Sequence, residues 1–536
     1  MKNNYCELTN KRAFRFAALA VGGILTGLMA VFPGVGFLQW ITLIPAAMAL
    51  FSVAEDKRVR CRGLYGYGVF FFMCYYPVVY HWFINLYPLD FVDGMTPLSA
   101  MAVVLLGVFG LSALQASMGG LVFVAVGYCF RGSIAEKAPW LKPLLAAGAW
   151  SVFEWTQTLG WIGVPWGRLA LGQTEYAVGI QTASLFGPYF ITFLLVAVNF
   201  ALGYVLHRIL KGERKLAPTL CGMAVAMLLF QYGAGTALYL LGGEKEEGTG
   251  VKVAALQGNI SSNEKWSLSA NRKIFEVYSR LAEDAAGDGA DIILMPESAL
   301  PFSIEEGEHS HYYLKALAAS CGVPVIGGGF TNADEGEYNS LVCFMPDGRV
   351  LDCVYSKRHL VPFGEYVPME GLIKVIAPPL SELVMGGYKI VPGEGAQLME
   401  IDSLKIGSLI CFDSIYEGLA LESVREGAEV IFLATNDSWF TDSAALDMHN
   451  AQAKLRAVEC GRYVVRAANT GISSVITPRG ETVTSLGALE EGYIIGEIYP
   501  KTHTTLYSII GNIFVYLWCA AFFALVIYEK IHRKKI

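Results

Sequence analysis

The sequence predicts two architectures in one chain: a polytopic α-helical membrane domain with eight spans, and an α/β layered domain placed between the last two of them. Three observations carry this. Of the 536 residues, 54% are hydrophobic and only 16% are charged, far from a soluble average. Eight apolar segments reach the ~17–25 residues needed to cross a bilayer. From Val251 onward the pattern changes to short apolar strands alternating with helical stretches.

The eight spans are expected near 14–32, 36–53, 64–84, 98–128, 143–160, 178–206, 217–241 and 505–528. The third, fourth and sixth are long enough to tilt, and the fifth carries Glu154. The opening run with Lys2, Lys11, Arg12 and Arg15 has the look of a signal peptide. No small-residue cleavage site follows and further spans come at once, so it reads as an anchor. Loop charges give an orientation. Lys57, Arg58, Arg60 and Arg62 follow the second span, Arg131, Lys137 and Lys142 the fourth, Arg208, Lys211, Arg214 and Lys215 the sixth, and Lys530, Arg533, Lys534 and Lys535 end the chain. The alternate short loops hold Asp90 and Asp93 but only one base, Arg168. The positive-inside rule then puts both termini in the cytoplasm and the large domain outside. Chemistry placed outside has no access to ATP or acyl-CoA, so an activated substrate would have to come from the membrane or the outside.

Two features interrupt the membrane region. Glu154 is an ionisable group in a span, which is costly unless it faces protein or a cavity. It reads either as a brace between helices or as a functional group. Gly163-Val164-Pro165-Trp166 reads as an interfacial belt at the outer face, with a binding site as the alternative.

The domain expectation is a membrane domain over 1–243, a polar linker over 244–250, an extracytoplasmic domain over 251–504, and a last helix with a basic tail over 505–536. Strands are expected at 251–257, 291–295, 323–327, 340–345, 405–410, 430–434, 463–468 and 473–477. Helices are expected at 271–286, 311–320, 418–426 and 445–461. Residues 251–504 carry 34 acidic and 19 basic side chains. That balance argues against nucleic-acid binding, which needs a basic face. The eleven cysteines include no CxxC pair, so zinc-type spacing is absent and no metal site is expected. Five of them, Cys321, Cys343, Cys353, Cys411 and Cys460, lie in the extracytoplasmic domain; an odd number leaves at least one free thiol there. The segment 368–395 has little regular pattern and many apolar residues, among them Leu383 and Met385. It reads as a lid that dips into the bilayer surface or as an ordinary packed loop.

Three stretches carry chemistry. Leu404 to Ile410 is an apolar strand that breaks at Cys411 into polar residues. A thiol at the end of a buried strand is rigidly held, and a helix starting just after it would favour the thiolate. The alternative is a buried structural cysteine. Asp291 to Met295 is a second strand, ending in Pro296-Glu297-Ser298. Tyr355-Ser356-Lys357 puts a lysine after a third.

Together, these stretches resemble the Glu-Lys-Cys triad of the nitrilase superfamily. With Gln257-Gly258-Asn259-Ile260, Trp266, His359-Leu360-Val361-Pro362-Phe363-Gly364-Glu365-Tyr366-Val367-Pro368 and Asn436-Asp437-Ser438-Trp439-Phe440, they resemble the apolipoprotein N-acyltransferase family over nearly the whole chain. The lysine-loop string is the most specific piece. The resemblance implies a four-layer αββα sandwich and a multi-pass protein of the bacterial inner membrane. It implies acyl transfer by a ping-pong route through a thioester, from a membrane phospholipid to the α-amine of a diacylglyceryl apolipoprotein, the last step of lipoprotein maturation.

No cofactor is implied, and the protein reads as a monomer. Cys411 is the implied nucleophile, Glu297 the base and Lys357 the oxyanion stabiliser, with the Phe412 N–H as a second donor. Glu365 reads as a support for Lys357 or Glu297, or as a loop salt bridge. Asp413 keeps a charge near the cysteine. Trp266 and Trp439 have the bulk to line an acyl pocket, with core packing as the alternative. His359 and His449 read as structural. Two departures stand out: Phe412-Asp413 replaces the Tyr-Glu of better-known members, and Thr441 stands where Gly is common. A membrane-tethered C–N hydrolase (amidase) shares the triad and is the alternative activity; a non-catalytic lipoprotein-binding protein is a third reading.

Overall fold

The computed structural model describes residues 5, 7, 9, 11–89, 95–242, 249–261, 265, 270–376 and 389–533. Trp266, Leu383, Met385 and most of the expected linker lie outside the described residues. The chain divides into two compact units. One comprises Met1–Ile84, Val103–Gly242 and Ile510–Ile536; the other comprises Asn85–Ala102 and Gly243–Ile509.

The first unit is helical. Six described helices are long and apolar enough to span a membrane: Arg12–Val31, Pro33–Glu55, Pro97–Phe130, Pro188–Leu210, Ala217–Leu241 and Ile513–His532. The third and fifth expected spans are also helices, but differ from these six. Cys61–Val79 is diluted by four tyrosines and carries Pro77 inside it. Lys142–Thr156 has 15 residues, about 22 Å of helix against a ~30 Å hydrocarbon layer. It stops because Gln157 turns inward to donate to Tyr76 and Gln115, and the chain then reverses at Gly160. The sixth expected span is broken at Gly187, whose φ of 76° only glycine adopts readily, before Pro188 opens the long helix.

Glu154 is a buried brace. It accepts from Trp150 Nε1 at 3.2 Å, the Leu169 N–H at 3.0 Å and Thr192 Oγ1 at 2.6 Å, so three separate segments meet on one carboxyl. Trp166 does not sit on an outer belt as expected. It is buried inside the unit, its ring 5.4 Å from that of Trp82. The Pro165–Gly167 turn folds inward because the Gly167 carbonyl accepts from Tyr75. Arg131 caps the end of Pro33–Glu55, donating to the carbonyls of Ala54 at 2.7 Å and Val59 at 2.8 Å.

The second unit is built on two six-stranded sheets. The strands are β1 (Val251–Gln257), β2 (Ile292–Leu294), β3 (Val325–Ala333), β4 (Gly336–Phe344), β5 (Tyr355–Ser356), β6 (Leu398–Ile401), β7 (Leu404–Ile410), β8 (Val430–Thr435), β9 (Tyr463–Ala468), β10 (Ser473–Ile476), β11 (Thr482–Leu486) and β12 (Gly492–Ile498). One sheet runs β12-β1-β2-β3-β4-β5 and the other β11-β10-β9-β8-β7-β6. Within each, three neighbours are parallel: β1, β2 and β3, and β7, β8 and β9. Six expected strands shift at their edges, and β5, β6, β11 and β12 are additional; these four are short or half-exposed, with weak apolar patterns.

Period-two alternation makes the layers. On β1, Val253 and Ala255 join Leu294, Ile326, Ile406, Ile410, Phe432 and Val465 in a core between the sheets. The alternate residues Ala254 and Leu256 face the helices Asn271–Gly287 and His309–Cys321, packing on Ile274, Tyr278, Leu281 and Leu314. Helices Glu417–Arg425 and Ala444–Cys460 belong with the second sheet. The result is two sheets flanked by helices.

Candidate active site

Each candidate catalytic side chain follows the carboxyl end of a strand. This is where parallel α/β sheets place their ligands, because chains leaving the strands diverge there. Glu297 comes three residues after β2, Lys357 directly after β5, and Cys411 directly after β7. The Glu297 turn lies tight against β3. A Cβ at Gly328 would stand 2.3 Å from the Pro296 carbonyl oxygen, so this approach requires glycine.

Glu297 is 5% exposed and fully engaged. Its Oε1 accepts from Lys357 Nζ and from Asn339 Nδ2, both at 2.8 Å. Its Oε2 accepts the Asn436 N–H at 2.8 Å. Asn436 follows β8 of the other sheet, so this carboxylate ties the two sheets together. Lys357 is 2% exposed and makes a second 2.8 Å bond, to Glu365 Oε1. Glu365 is itself oriented by the Val361 N–H at 2.8 Å. Burial alone would lower the Lys357 ammonium, but the Glu297 and Glu365 carboxylates and the nearby Cys411 outweigh it and hold it well above the usual lysine range.

Cys411 is half-buried and sits at a φ of +48°, a left-handed conformation rare for a side-chain-bearing residue. A single 3-10 turn, Cys411–Ile415, follows it rather than a helix. The help that a helix starting here would have given the thiolate is therefore replaced by a different balance. Burial pushes the Cys411 thiol up, the Glu297 charge pushes it further, and the Lys357 ammonium pulls it partly back. The resting group is a thiol whose proton must be removed during reaction.

Asp413 makes the 3-10 turn tight. Its Oδ2 accepts the Ile410 N–H at 3.1 Å and the Tyr355 hydroxyl at 2.9 Å, and its Oδ1 accepts the N–H groups of His359 at 2.8 Å and Arg358 at 3.2 Å. The cysteine turn is thereby strapped to the lysine loop of the opposite sheet. The shorter arm of Asp413 is met by Tyr355, which supplies a phenol from β5. Burial pushes the Asp413 carboxyl up to about 6, against the pull of these donors and of Lys357.

The remaining expected residues are placed as follows. Phe412 packs edge-on to Tyr416, ring centres 5.5 Å apart. Trp439 is half-buried in the turn after Asp437. Trp266 lies outside the described residues. Its neighbour Lys265 is buried, with Nζ 3.3 Å from the Glu297 carbonyl oxygen, and burial lowers its ammonium to about 8. His359 stacks on Tyr416 at 4.1 Å. Thr441 sits at a φ of +46°, which explains why glycine suits that position. Cys321, Cys343, Cys353, Cys411 and Cys460 are all free thiols.

Sequence reasoning did not single out Asn339, Tyr355 or the Asn436 N–H, and it treated His449 as structural. His449 instead lies against the cysteine turn. Cys411, Asp437 and His449 have ligand-type atoms within 4.8 Å of one another. Asp437 is already engaged, Oδ1 by His449 at 2.8 Å and Thr435 at 2.8 Å, Oδ2 by Arg466. A guanidinium on that carboxylate opposes a bound cation.

Comparison with known proteins places these features in a wider set. A family model described as carbon-nitrogen hydrolase matches residues 252–506. Another, described as apolipoprotein N-acyltransferase N-terminal domain, matches residues 22–201. An apolipoprotein N-acyltransferase of Gloeobacter violaceus is 30% identical over 501 residues, covering 93% of this chain and 91% of its own length. One from Geobacter metallireducens is 30% identical over 538 residues, covering 98% and 96%. Among solved structures, a nitrilase-superfamily member of Saccharomyces cerevisiae is 22% identical with a TM-score of 0.38, covering 50% of this chain and 97% of its own.

Proposed function

Since the chain belongs to the apolipoprotein N-acyltransferase family, we propose that it carries an acyl chain from a membrane phospholipid, through a thioester on Cys411, to the α-amine of the diacylglyceryl-cysteine that begins an apolipoprotein. It is an acyltransferase, and the membership favours that activity over the amidase alternative. The observation that carries the reading of the site is the Glu297–Lys357–Glu365 cluster, with Glu297 and Lys357 buried, at the strand ends where Cys411 also lies.

In the first half-reaction Glu297 takes the Cys411 proton as sulfur attacks the ester carbonyl carbon. Lys357 and the Phe412 N–H face the oxyanion that forms. Collapse breaks the C–O bond, and the proton passes from Glu297 to the departing lysophospholipid oxygen. In the second, the acceptor amine attacks the thioester. Glu297 takes its proton, the C–S bond breaks, and the thiol is restored. Glu365 keeps Lys357 fixed, and Asp413 keeps the cysteine turn in register with it.

Trp439 lines the acyl pocket; Trp266, assigned the same role from the sequence, lies outside the described residues. The arm 368–395 admits lipid. Exposed Met369, Leu372 and Val375, around the helix Glu370–Ile376, give it an apolar face suited to a bilayer surface. Loop charges support cytoplasmic termini, a catalytic unit outside the inner membrane, and hence both substrates at the outer leaflet. The protein acts as a monomer, with the domain limits given from the sequence.

The test is mass spectrometry of a diacylated lipopeptide incubated with the protein in phospholipid micelles. The expected result is a gain of one amide-linked acyl chain, lost in Cys411→Ala. Ammonia release without acyl gain would replace this reading with the amidase one. Unchanged activity in both Cys411→Ala and Glu297→Gln would reject the site.

A further inference from the structure

Behind Cys411 lies a buried group that the proton transfers above leave unused. His449 from helix Ala444–Cys460, Asp437 after β8, Arg466 from β9 and Ser414 from the cysteine turn all lose essentially all contact with solvent. His449 Nδ1 donates to Asp437 Oδ1 at 2.8 Å. Arg466 holds the other oxygen of Asp437 and is anchored in turn on the Ile472 carbonyl at 3.0 Å. The ring is therefore locked with its Nε2 facing the cysteine turn, where it donates only when both ring nitrogens carry protons, the imidazolium form that pairs with the Asp437 carboxylate.

There, Nε2 lies 3.0 Å from Ser414 Oγ and 3.3 Å from the carbonyl oxygen of Cys411. Ser414 Oγ donates to that same carbonyl at 2.7 Å. This carbonyl is one end of a peptide plane whose other end is the Phe412 N–H. A peptide unit is planar, so fixing the oxygen fixes the direction of the N–H. Donors on the oxygen also polarise the unit and strengthen its N–H as a donor. The plane needs such anchoring, because it follows a residue in the left-handed region, a conformation unfavourable for a side-chain-bearing residue.

We propose that His449 and Ser414 are positioning residues that aim and polarise the Phe412 N–H toward the oxyanion of acyl transfer. This rests on the acyl-transfer reading above and assigns the Asp437–Arg466 pair the task of orienting the imidazole. The role differs from thiol activation: its effect falls on carbonyl chemistry at Cys411, and displacement chemistry at the same sulfur does not call on it.

Two rates on the full-length protein separate these. One is formation of the acyl-enzyme from phospholipid vesicles, followed as the mass gain on Cys411. The other is alkylation of Cys411 by iodoacetamide, which develops no oxyanion. His449→Ala is expected to slow acylation by about 10–100-fold, toward the loss seen when an oxyanion donor is removed, and to leave alkylation within about twofold. His449→Gln, which keeps an N–H at similar reach, is expected to recover much of the loss. Ser414→Ala is expected to slow acylation by roughly tenfold with alkylation again unchanged, and it carries the test if His449→Ala does not fold. Acylation unaffected in the variants, or alkylation falling in parallel with it, would overturn the proposal. A wild-type protein that gains no acyl mass would instead refute the acyl-transfer reading itself.

Discussion

Replacing Lys357 by Met removes the one ammonium shared by two carboxylates, Glu297 and Glu365, each 2.8 Å from its Nζ. The carboxylate oxygens concerned lie no more than twice that distance apart. Breaking a buried pair from one side costs about 3–5 kcal/mol, because the surviving charges stay desolvated. Here Glu297 keeps Asn339 and the Asn436 N–H, and Glu365 keeps the Val361 N–H. The lower end, about 3 kcal/mol, is therefore expected, or roughly 6–12 °C in the unfolding midpoint of a unit this size. Acyl transfer should fall by about 10²–10³-fold or more.

The pH dependence sharpens the test. The Lys357 ammonium is held above its ordinary value of 10.5, so its contribution is fully present below that value and is lost only as pH rises through the folded one. The wild-type contribution is thus flat across neutral pH. In the variant a proton must take the place of the ammonium between the carboxylates. The native state then binds a proton that the unfolded chain does not, and stability rises as pH falls. Thermal unfolding of the full-length protein in detergent at pH 8 and pH 6 reads both effects. A variant as stable as wild type at pH 8, or one that gains nothing over wild type on acidification, would refute the reasoning.

Cys411 is pushed up by burial and by Glu297, so its iodoacetamide reactivity should climb about tenfold per pH unit through pH 9 without levelling; a plateau near pH 7–8 would mean a resting thiolate. Asp413 is raised from its ordinary 3.8 to about 6, so its contribution is present below 3.8 and lost as pH rises through 6, costing about 3 kcal/mol at pH 7. Asp413→Asn should therefore abolish part of the gain in unfolding midpoint that wild type shows between pH 7 and pH 5, and should reduce acyl transfer by unstrapping the lysine loop; identical pH profiles would contradict this. Thr441→Gly relieves a left-handed residue and should stabilise by about 0.5–1 kcal/mol, and a lowered midpoint would count against that assignment of strain.

Much of this unit was legible because its chemistry sits where apolar strands stop. Glu297, Lys357 and Cys411 each mark such a stop, and the apolar runs of β1, β7 and β8 are visible in one dimension. What escaped reading depends on contacts between the sheets. Asn339 lies in mid-strand, and nothing local distinguishes its amide from that of any polar strand residue. Asn436 acts through its backbone N–H, which has no sequence signal. His449 sits on a helix whose faces are both buried, so period alone could not say that one side meets the cysteine turn. Cys411 opens a 3-10 turn rather than a helix because Asp413 reaches back to the Ile410 N–H. In the helical unit, Trp166 was misjudged for the opposite reason: an aromatic group that suits a water boundary also packs inside a bundle, here against Trp82.

The two cross-links described here, Glu297 to the Asn436 N–H and Asp413 to Tyr355, run in opposite senses across the sandwich. Reaction geometry is thus gauged by the thickness of the apolar filling, Ile410, Phe432, Leu294 and Ile326 among it, rather than by any one loop. Enlarging a residue in that filling would pry the carboxylate from the sulfur, and a displacement of about 1 Å can cost on the order of 10²-fold in rate. Variants with faultless active-site residues and poor turnover are therefore to be sought among substitutions deep in the hydrocarbon interior of the sandwich.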